Sequence, residues 1–416
     1  MKIKLYNARI MQKDLSITSA ELFIDNGVIV SSFDDSDADE LIDCGGNLLT
    51  PSFKNAHTHS AMTFLRSRAD DLPLQEWLFE QIFPQEAKLN AEHIYAFTKL
   101  AILEYLSGGI TAAFDMYFEP EAVSTAAKDM GFRLTMCGSA NNFGTTPDKM
   151  FSFYQKFKNS HEFIDYKLGF HAEYTNSIEN MKAIAEMARE YKAPVYTHMS
   201  ETLREHEECI ERHGKTPAAL FAELGLWEHG GGAFHAVHVS DEDIKLMANH
   251  GVWAVSNPGS NLKLASGIAP LCKMQEAGVK IALGTDGAAS NNALSMFREM
   301  HFACTTQKHF CNDAAACSAL NALEWATSGS AKAMGLENCD TLEVGKKADI
   351  IMLDLNRPSM RPLNNIAKNL VYSGDTSCVK MTIVNGIIRY KDGDFFVGES
   401  ATKIIENAEK LMKDFE

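Results

Sequence analysis

The sequence has no Cys-x-x-Cys pair, no apolar run long enough for a signal peptide or a membrane span, and no surplus of positive charge. Each absence removes a class of protein. The nine cysteines are an odd number, scattered in apolar contexts such as Thr135-Met136-Cys137-Gly138. They read as reduced thiols used as small hydrophobes, which excludes a disulfide scaffold and points to the cytoplasm. Met1-Lys2-Ile3-Lys4-Leu5-Tyr6-Asn7 carries charge, but no apolar core of leader length follows it, so neither export nor membrane anchoring is expected. A formal net charge of -16 repels nucleic acid and anionic lipid at long range, and neither is expected as a partner. Low-complexity linkers and solenoid repeats are also missing. What remains is a chain of 416 residues, 45% apolar and 23% charged, long enough for two domains or one large barrel with an accessory module.

The two ends share one texture. Ile3 to Tyr6, Glu21 to Ile24 and Val28 to Val30 read as short strands around the hairpin turn Asp25-Asn26-Gly27. Ala348 to Leu353, Val379 to Val384 and Ile388 to Tyr390 repeat the pattern near the other end, so residues 1–50 and 345–395 are expected to form one small β-sandwich-like domain. A C-terminal helix is expected over 396–416. Between them strands and helices alternate, as in a parallel sheet with helical crossovers. The strand candidates are Leu48 to Phe53, Thr111 to Met116, Arg133 to Cys137, Lys167 to Phe170, Pro194 to His198, Ala233 to Val237, Val252 to Ser256 and Val279 to Leu283. Helical spacing is clear between them, for example Met181, Ile184, Ala185 and Ala188 within Ile178 to Tyr191. Eight such units over 51–344 predict a (β/α)8 TIM-like barrel. A doubly wound open sheet is the competing architecture, but no Gly-x-Gly-x-x-Gly turn follows the first strand.

Barrel chemistry gathers at the C-terminal strand ends, so polar residues there should converge. His57 and His59 end the first unit, His171 and Glu173 the fourth, His198 and Glu201 the fifth, His235 and His238 the sixth, and Asp286 the eighth. Three imidazoles and a carboxylate suit a divalent cation, which assigns His57, His59, His198 and Asp286 as ligands with one position open to water. A water so held has a pKa of about 7 instead of about 16, which is what a hydrolase needs. Plainer uses exist for each residue. A lone His-x-His can be a pair of satisfied core histidines, and Asp286 could cap the helical run that begins near Ser295. His235 and His238 should face opposite ways on a regular strand, and His235 is favoured as the inward one because it follows the apolar stretch directly. His93, His161, His206, His213, His229, His250, His301 and His309 are read as surface or structural.

The segments Pro51-Ser52-Phe53-Lys54-Asn55-Ala56-His57-Thr58-His59, His198-x-x-Glu201, His235-Ala236-Val237-His238 and Leu283-Gly284-Thr285-Asp286-Gly287 together resemble the amidohydrolase superfamily. More closely, they are similar to its 5-methylthioadenosine/S-adenosylhomocysteine deaminase-like branch, with atrazine chlorohydrolase and guanine deaminase as relatives. The resemblance implies one divalent ion per chain, zinc with iron as the other candidate. Binuclear members bridge two ions with a modified lysine at the end of strand four, whereas here Lys167 begins that strand and His171 ends it. It further implies Glu201 as the proton shuttle, Asp286 as a ligand that also accepts a proton, and His235 orienting the attacking hydroxide at the tetrahedral centre.

The long segment Phe64 to Leu89 carries Trp77, Phe79, Phe83 and Glu86. Leu74, Trp77, Leu78 and Phe83 could serve only to anchor a helical insertion. By resemblance, Trp77 lies beside the substrate, Glu86 accepts from ribose hydroxyls, His171 meets the purine edge and Ser290 lies close to the nucleoside. The expected partner is therefore a small purine nucleoside, and a homo-oligomer (dimer or tetramer) stays open. One departure bears on the 5' end. Members that use S-adenosylhomocysteine carry an arginine at the end of strand three and a second about a dozen residues on. Here Cys137 stands at the first position and Lys149 near the second, with Arg133 a further candidate cation. Lysine offers a point charge without the planar fork. The expected substrates are thus adenosine, 5'-deoxyadenosine or 5-methylthioadenosine ahead of S-adenosylhomocysteine, and Cys137→Arg is expected to narrow that gap. Deamination of a free base such as guanine or a pterin, triazine chloro- or aminohydrolysis, and a non-catalytic scaffold are the alternatives.

Overall fold

The computed structural model describes residues 1–68, 70–72 and 76–415. Two sheets organise it. Eight parallel strands, Phe53–Thr58, Ile110–Asp115, Arg133–Cys137, Ile164–Gly169, Val195–Met199, Gly231–His235, Val252–Ser256 and Lys280–Leu283, pair in sequence order, with helices in the crossovers. The barrel closes between the last and the first strand through a short set of bonds. Asn55 Nδ2 donates to Thr285 Oγ1 at 2.6 Å, Thr285 N to Asn55 Oδ1 at 2.9 Å, and Asp286 N to the His57 carbonyl at 3.0 Å. Closure therefore fixes Asp286 beside His57, which lie 229 positions apart in the chain (286 − 57).

The second sheet is mixed and has nine strands drawn from both ends of the chain. Asn26 and Gly27 both take positive φ, 48° and 81°, in the expected hairpin turn. Leu48–Pro51 belongs to this sheet, pairing antiparallel with Ile350–Leu353. The expected first barrel strand, Leu48 to Phe53, is thus corrected: the chain changes sheets at Ser52, whose N–H bonds the Asp349 carbonyl, and Phe53 N bonds the Gly109 carbonyl in the barrel. Phe53–Thr58 is buried throughout although it contains Lys54, Asn55, His57 and Thr58, so it carries no apolar signature. Lys167 is likewise interior to Ile164–Gly169 and not its first residue. Its ammonium pairs with Asp165 at 2.7 Å.

A buried network joins the sheets at the N-terminal end of the barrel. Arg133 Nε and Nη2 donate to Asp349 at 2.8 and 3.1 Å, while Lys54 Nζ donates to Ser52 and Thr111 and lies 3.6 Å from Asp349. Arg133 is therefore spent far from the strand C-termini, which removes it as a substrate cation. Cys137 is corrected as well. It is 2% exposed and packs in the barrel interior with Ala112, Phe114, Tyr196 and Phe234.

The insertion after the first strand contains a 3-10 turn, Ser60–Leu65, a π-helical turn, Trp77–Ile82, and a short helix, Phe83–Glu86. Trp77 and Leu78 are buried, while Leu74 lies outside the described residues. The expected C-terminal helix is Ala401–Leu411, and Phe415 beyond it packs on Phe64 and Phe97. No described helix is long and apolar enough to cross a membrane.

Candidate active site

The strand ends bend in an unusual way where the polar residues gather. Ser200, His235 and Asp286 have φ of 48°, 70° and 60°, and Ala236 has 46°. Non-glycine residues are uncommon there and mark positions held by their surroundings. The parity argument that set His235 against His238 assumed a regular strand, which these residues do not follow. His235 turns into the cluster, and His238 Nε2 bonds the Ser266 carbonyl at 2.7 Å instead.

Five side chains converge. Ligand atoms of His57, His198 and His235 lie within 4.8 Å of one another, as do those of His57, His59 and Asp286. Each ring has its far nitrogen fixed or free in a telling way. His59 Nδ1 meets the Met116 carbonyl at 2.6 Å and His198 Nδ1 the His171 carbonyl at 2.7 Å. A carbonyl only accepts, so Nδ1 carries the proton and Nε2 presents its lone pair inward. Both nitrogens of His57 are buried without any partner. Asp286 Oδ2 accepts from Ser260 Oγ at 2.6 Å and Ser290 Oγ at 2.7 Å, leaving Oδ1 at 3.2 Å from His59 Nε2 and 3.5 Å from His57 Nε2.

Burial lowers His57 to about 3 and holds His198 well below its ordinary value. It also opposes protonation of His59, but the Asp286 carboxylate outweighs it and raises that ring to about 9. Asp286 stays ionised against its burial because the His57 and His59 imidazoles stand beside its Oδ1. Two imidazoles kept neutral by burial, a third whose added proton is held by Asp286 and that ionised carboxylate itself fit a divalent cation, whose charge would take the place of the His59 proton, and His57 is left with unmet buried nitrogens without one.

A cavity of 570 Å³ opens from this cluster and is lined by Trp77, Glu86, Lys149, His171 and Glu201 as well as His59, His198, His235 and Asp286. The Trp77 indole N–H is buried and unpartnered. Burial lifts Glu86 to about 7, opposed by the Tyr117 hydroxyl that donates to it at 2.8 Å, and lowers His171 to about 4. Burial also raises Glu201, whose Oε2 lies 3.8 Å from His235 Nε2. Ser290, expected near the nucleoside, is buried behind Asp286 and bonds it. Ser139 and Asn141 line the cavity from the loop after the third strand, where Cys137 does not reach.

Four positioning residues escaped the sequence reading. Ser260 bonds Asp286, Asn261 Oδ1 meets His235 Nδ1 at 2.7 Å, Tyr117 bonds Glu86, and Glu205 accepts from Ser200 N and Glu201 N at 2.9 and 2.8 Å. Three of them had a signal. Asn257-Pro258-Gly259-Ser260-Asn261 is the polar end of the seventh strand, which the strand-end rule covers. Thr202-x-x-Glu205 has the spacing of a helix-capping pair, and Thr202 does cap that helix.

The chain belongs to the amidohydrolase family, whose sequence model matches residues 48–388. Among its relatives, a protein of Moorella thermoacetica named 5-methylthioadenosine/S-adenosylhomocysteine deaminase is 41% identical over 363 residues, 86% of this chain and 85% of that one. One of the same name from Thermoanaerobacter pseudethanolicus is 38% identical over 388 residues, covering 91% and 90%. The crystal structure of an adenosine deaminase from Xanthomonas campestris with bound zinc superposes with a TM-score of 0.92 at 31% identity, covering 100% of this chain and 98% of that one.

Proposed function

We propose that the protein is a hydrolytic deaminase of an adenosine-type nucleoside: water replaces the ring amino group, giving the inosine-type product and ammonia. The observation that carries this is the convergence of His57, His59 and His198 with ionised Asp286 beside a cavity that also holds Glu201. These four residues would hold one divalent cation, zinc in preference to iron given the nitrogen-rich set. Bound there, the cation supplies Lewis acidity that brings hydroxide within reach at neutral pH.

The chain's own groups do the rest. Glu201, lifted by burial, takes a proton from the attacking water and passes it to a ring nitrogen of the purine. Glu205 holds the backbone at Ser200 and Glu201 and so fixes where that carboxylate points. With Nδ1–H donated to Asn261, His235 presents an Nε2 lone pair that accepts from the water and orients it. Trp77 offers its indole N–H and ring face, Glu86 accepts from ribose hydroxyls, and His171 meets the base edge. Ser260 and Ser290 keep Asp286 turned toward the cation.

With Arg133 bound to Asp349, Lys149 is the cation left at the outer wall, and it stands over the Phe153 ring at 5.8 Å. That wall suits an uncharged 5' substituent better than an amino-acid carboxylate, which favours adenosine, 5'-deoxyadenosine or 5-methylthioadenosine. Ammonia release from these three, S-adenosylhomocysteine and guanine by metal-reconstituted protein tests the reading. Turnover of the adenosines is expected. A preference for guanine, or no release from any adenosine, overturns it.

A further inference from the structure

Four of the nine cysteines meet at one place away from the cavity. Cys272 lies in the helix Leu271–Glu276, Cys304 within Met296–Phe310, Cys311 at the end of that helix, and Cys317 in the loop that follows. Cys317 Sγ is 3.7 Å from Cys304 Sγ. Cys317 and Cys311 are the neighbours that act electrostatically on the Cys272 thiol. The pair Cys304 and Cys317 is buried, Cys272 is half-buried and Cys311 exposed. Among the described residues only the histidine-containing groups bring three ligand atoms within 4.8 Å, so the sulfurs form a line and not a cage. A line of thiols from surface to interior suits exchange better than metal capture.

We propose that this cluster is a thiol oxidation site, in which Cys304 and Cys317 become a disulfide and Cys272 admits the oxidant. Two further features favour it. Lys308 Nζ donates to the carbonyls of Ala314, Ala316 and Cys317, holding the loop and setting a positive charge beside the sulfurs, which favours thiolate. Cys317 keeps its proton between the two other thiols, which pushes its own thiol well up and draws Cys304 down and Cys272 down to about 7, so Cys272 is the readier nucleophile toward an entering oxidant.

With a small organic disulfide as oxidant, the Cys272 thiolate attacks one sulfur and releases one thiolate. Cys317 gives its proton to that released thiolate as it attacks Cys272 Sγ and expels the second, giving a Cys272–Cys317 bond. Cys304 thiolate then attacks Cys317 Sγ and returns Cys272 as thiolate. Two protein thiols have lost two electrons, the oxidant has gained them, and the two thiol protons end on the released thiols.

The test treats holoenzyme with oxidised glutathione, blocks free thiols and maps peptides without reduction. The expected product is one intrachain Cys304–Cys317 link per chain. Cys272→Ser should slow its formation at least about tenfold, because the buried pair then meets oxidant directly. Cys317→Ser, in a loop and so tolerant of change, should stop at a glutathione adduct on Cys272. Adducts confined to Cys272 and Cys311 in the unmutated protein, a Cys272–Cys317 link that persists, or a wild-type rate in Cys272→Ser each overturn the relay.

Discussion

The two ends of the barrel bury polar clusters of similar size and opposite completeness. At the N-terminal end Lys54, Arg133 and Asp349 are buried, but each charged group faces an opposite charge or a donor, and Asn385 N adds a bond to Asp349 at 2.8 Å. At the C-terminal end His57 is equally buried and both its nitrogens have nothing to bond. Buried charge alone is therefore no mark of function. A completed network fastens one sheet to the other, whereas an incomplete one asks for a ligand.

That contrast can be broken at either end. The largest effect should come from the mouth: chelation should abolish ammonia release, and one added divalent ion per chain should restore it, with two tightly bound ions per active chain by elemental analysis counting against a single centre. At the opposite end Asp349→Ala strips two buried cations of their partner and should cost about 3–5 kcal/mol in denaturant unfolding. Its kcat/KM should stay within about a factor of two, since no group of that network reaches the cavity. A large loss of turnover in the folded variant would mean that the two ends are coupled.

Back at the mouth, Glu201→Gln should keep the metal and lose at least about a hundredfold in kcat, and near-normal turnover removes it as the shuttle. Without a guanidinium fork the enzyme should favour adenosine or 5-methylthioadenosine over S-adenosylhomocysteine by roughly tenfold to a hundredfold in kcat/KM. An arginine placed at Ser139 or Asn141 should narrow that ratio, while Cys137→Arg should instead cost stability, because that thiol faces the packed interior. The smallest effect is a shift in pH. Glu201 must be ionised to take a proton and burial raises it, so kcat/KM should fall on acidification at a pH above the ordinary glutamate value of about 4.3. An acid limb at or below that value argues against a desolvated shuttle.

Much of this was legible locally. Arg133–Cys137, Val252–Ser256, Val379–Val384 and the helix Ile178–Tyr191 fall where their apolar periodicity puts them. Phe53–Thr58 did not, because its buried lysine, asparagine and histidine are satisfied only by partners from elsewhere in the chain. Trp77, Glu86, Lys149 and His171 line the cavity as expected, whereas Ser290 bonds Asp286 and Ser260, Asn261 and Glu205 went unseen.

The sequence by itself determined the alternation of strands and helices, the composite terminal sheet and the clustering of histidines and acids at strand ends, since each depends on spacing between near neighbours. Only the tertiary structure decided which of those groups are satisfied. Arg133 meets Asp349 across 216 positions and Ser260 meets Asp286 across 26. Such pairings exist only once the barrel has closed and the two sheets have joined, and no local pattern records them.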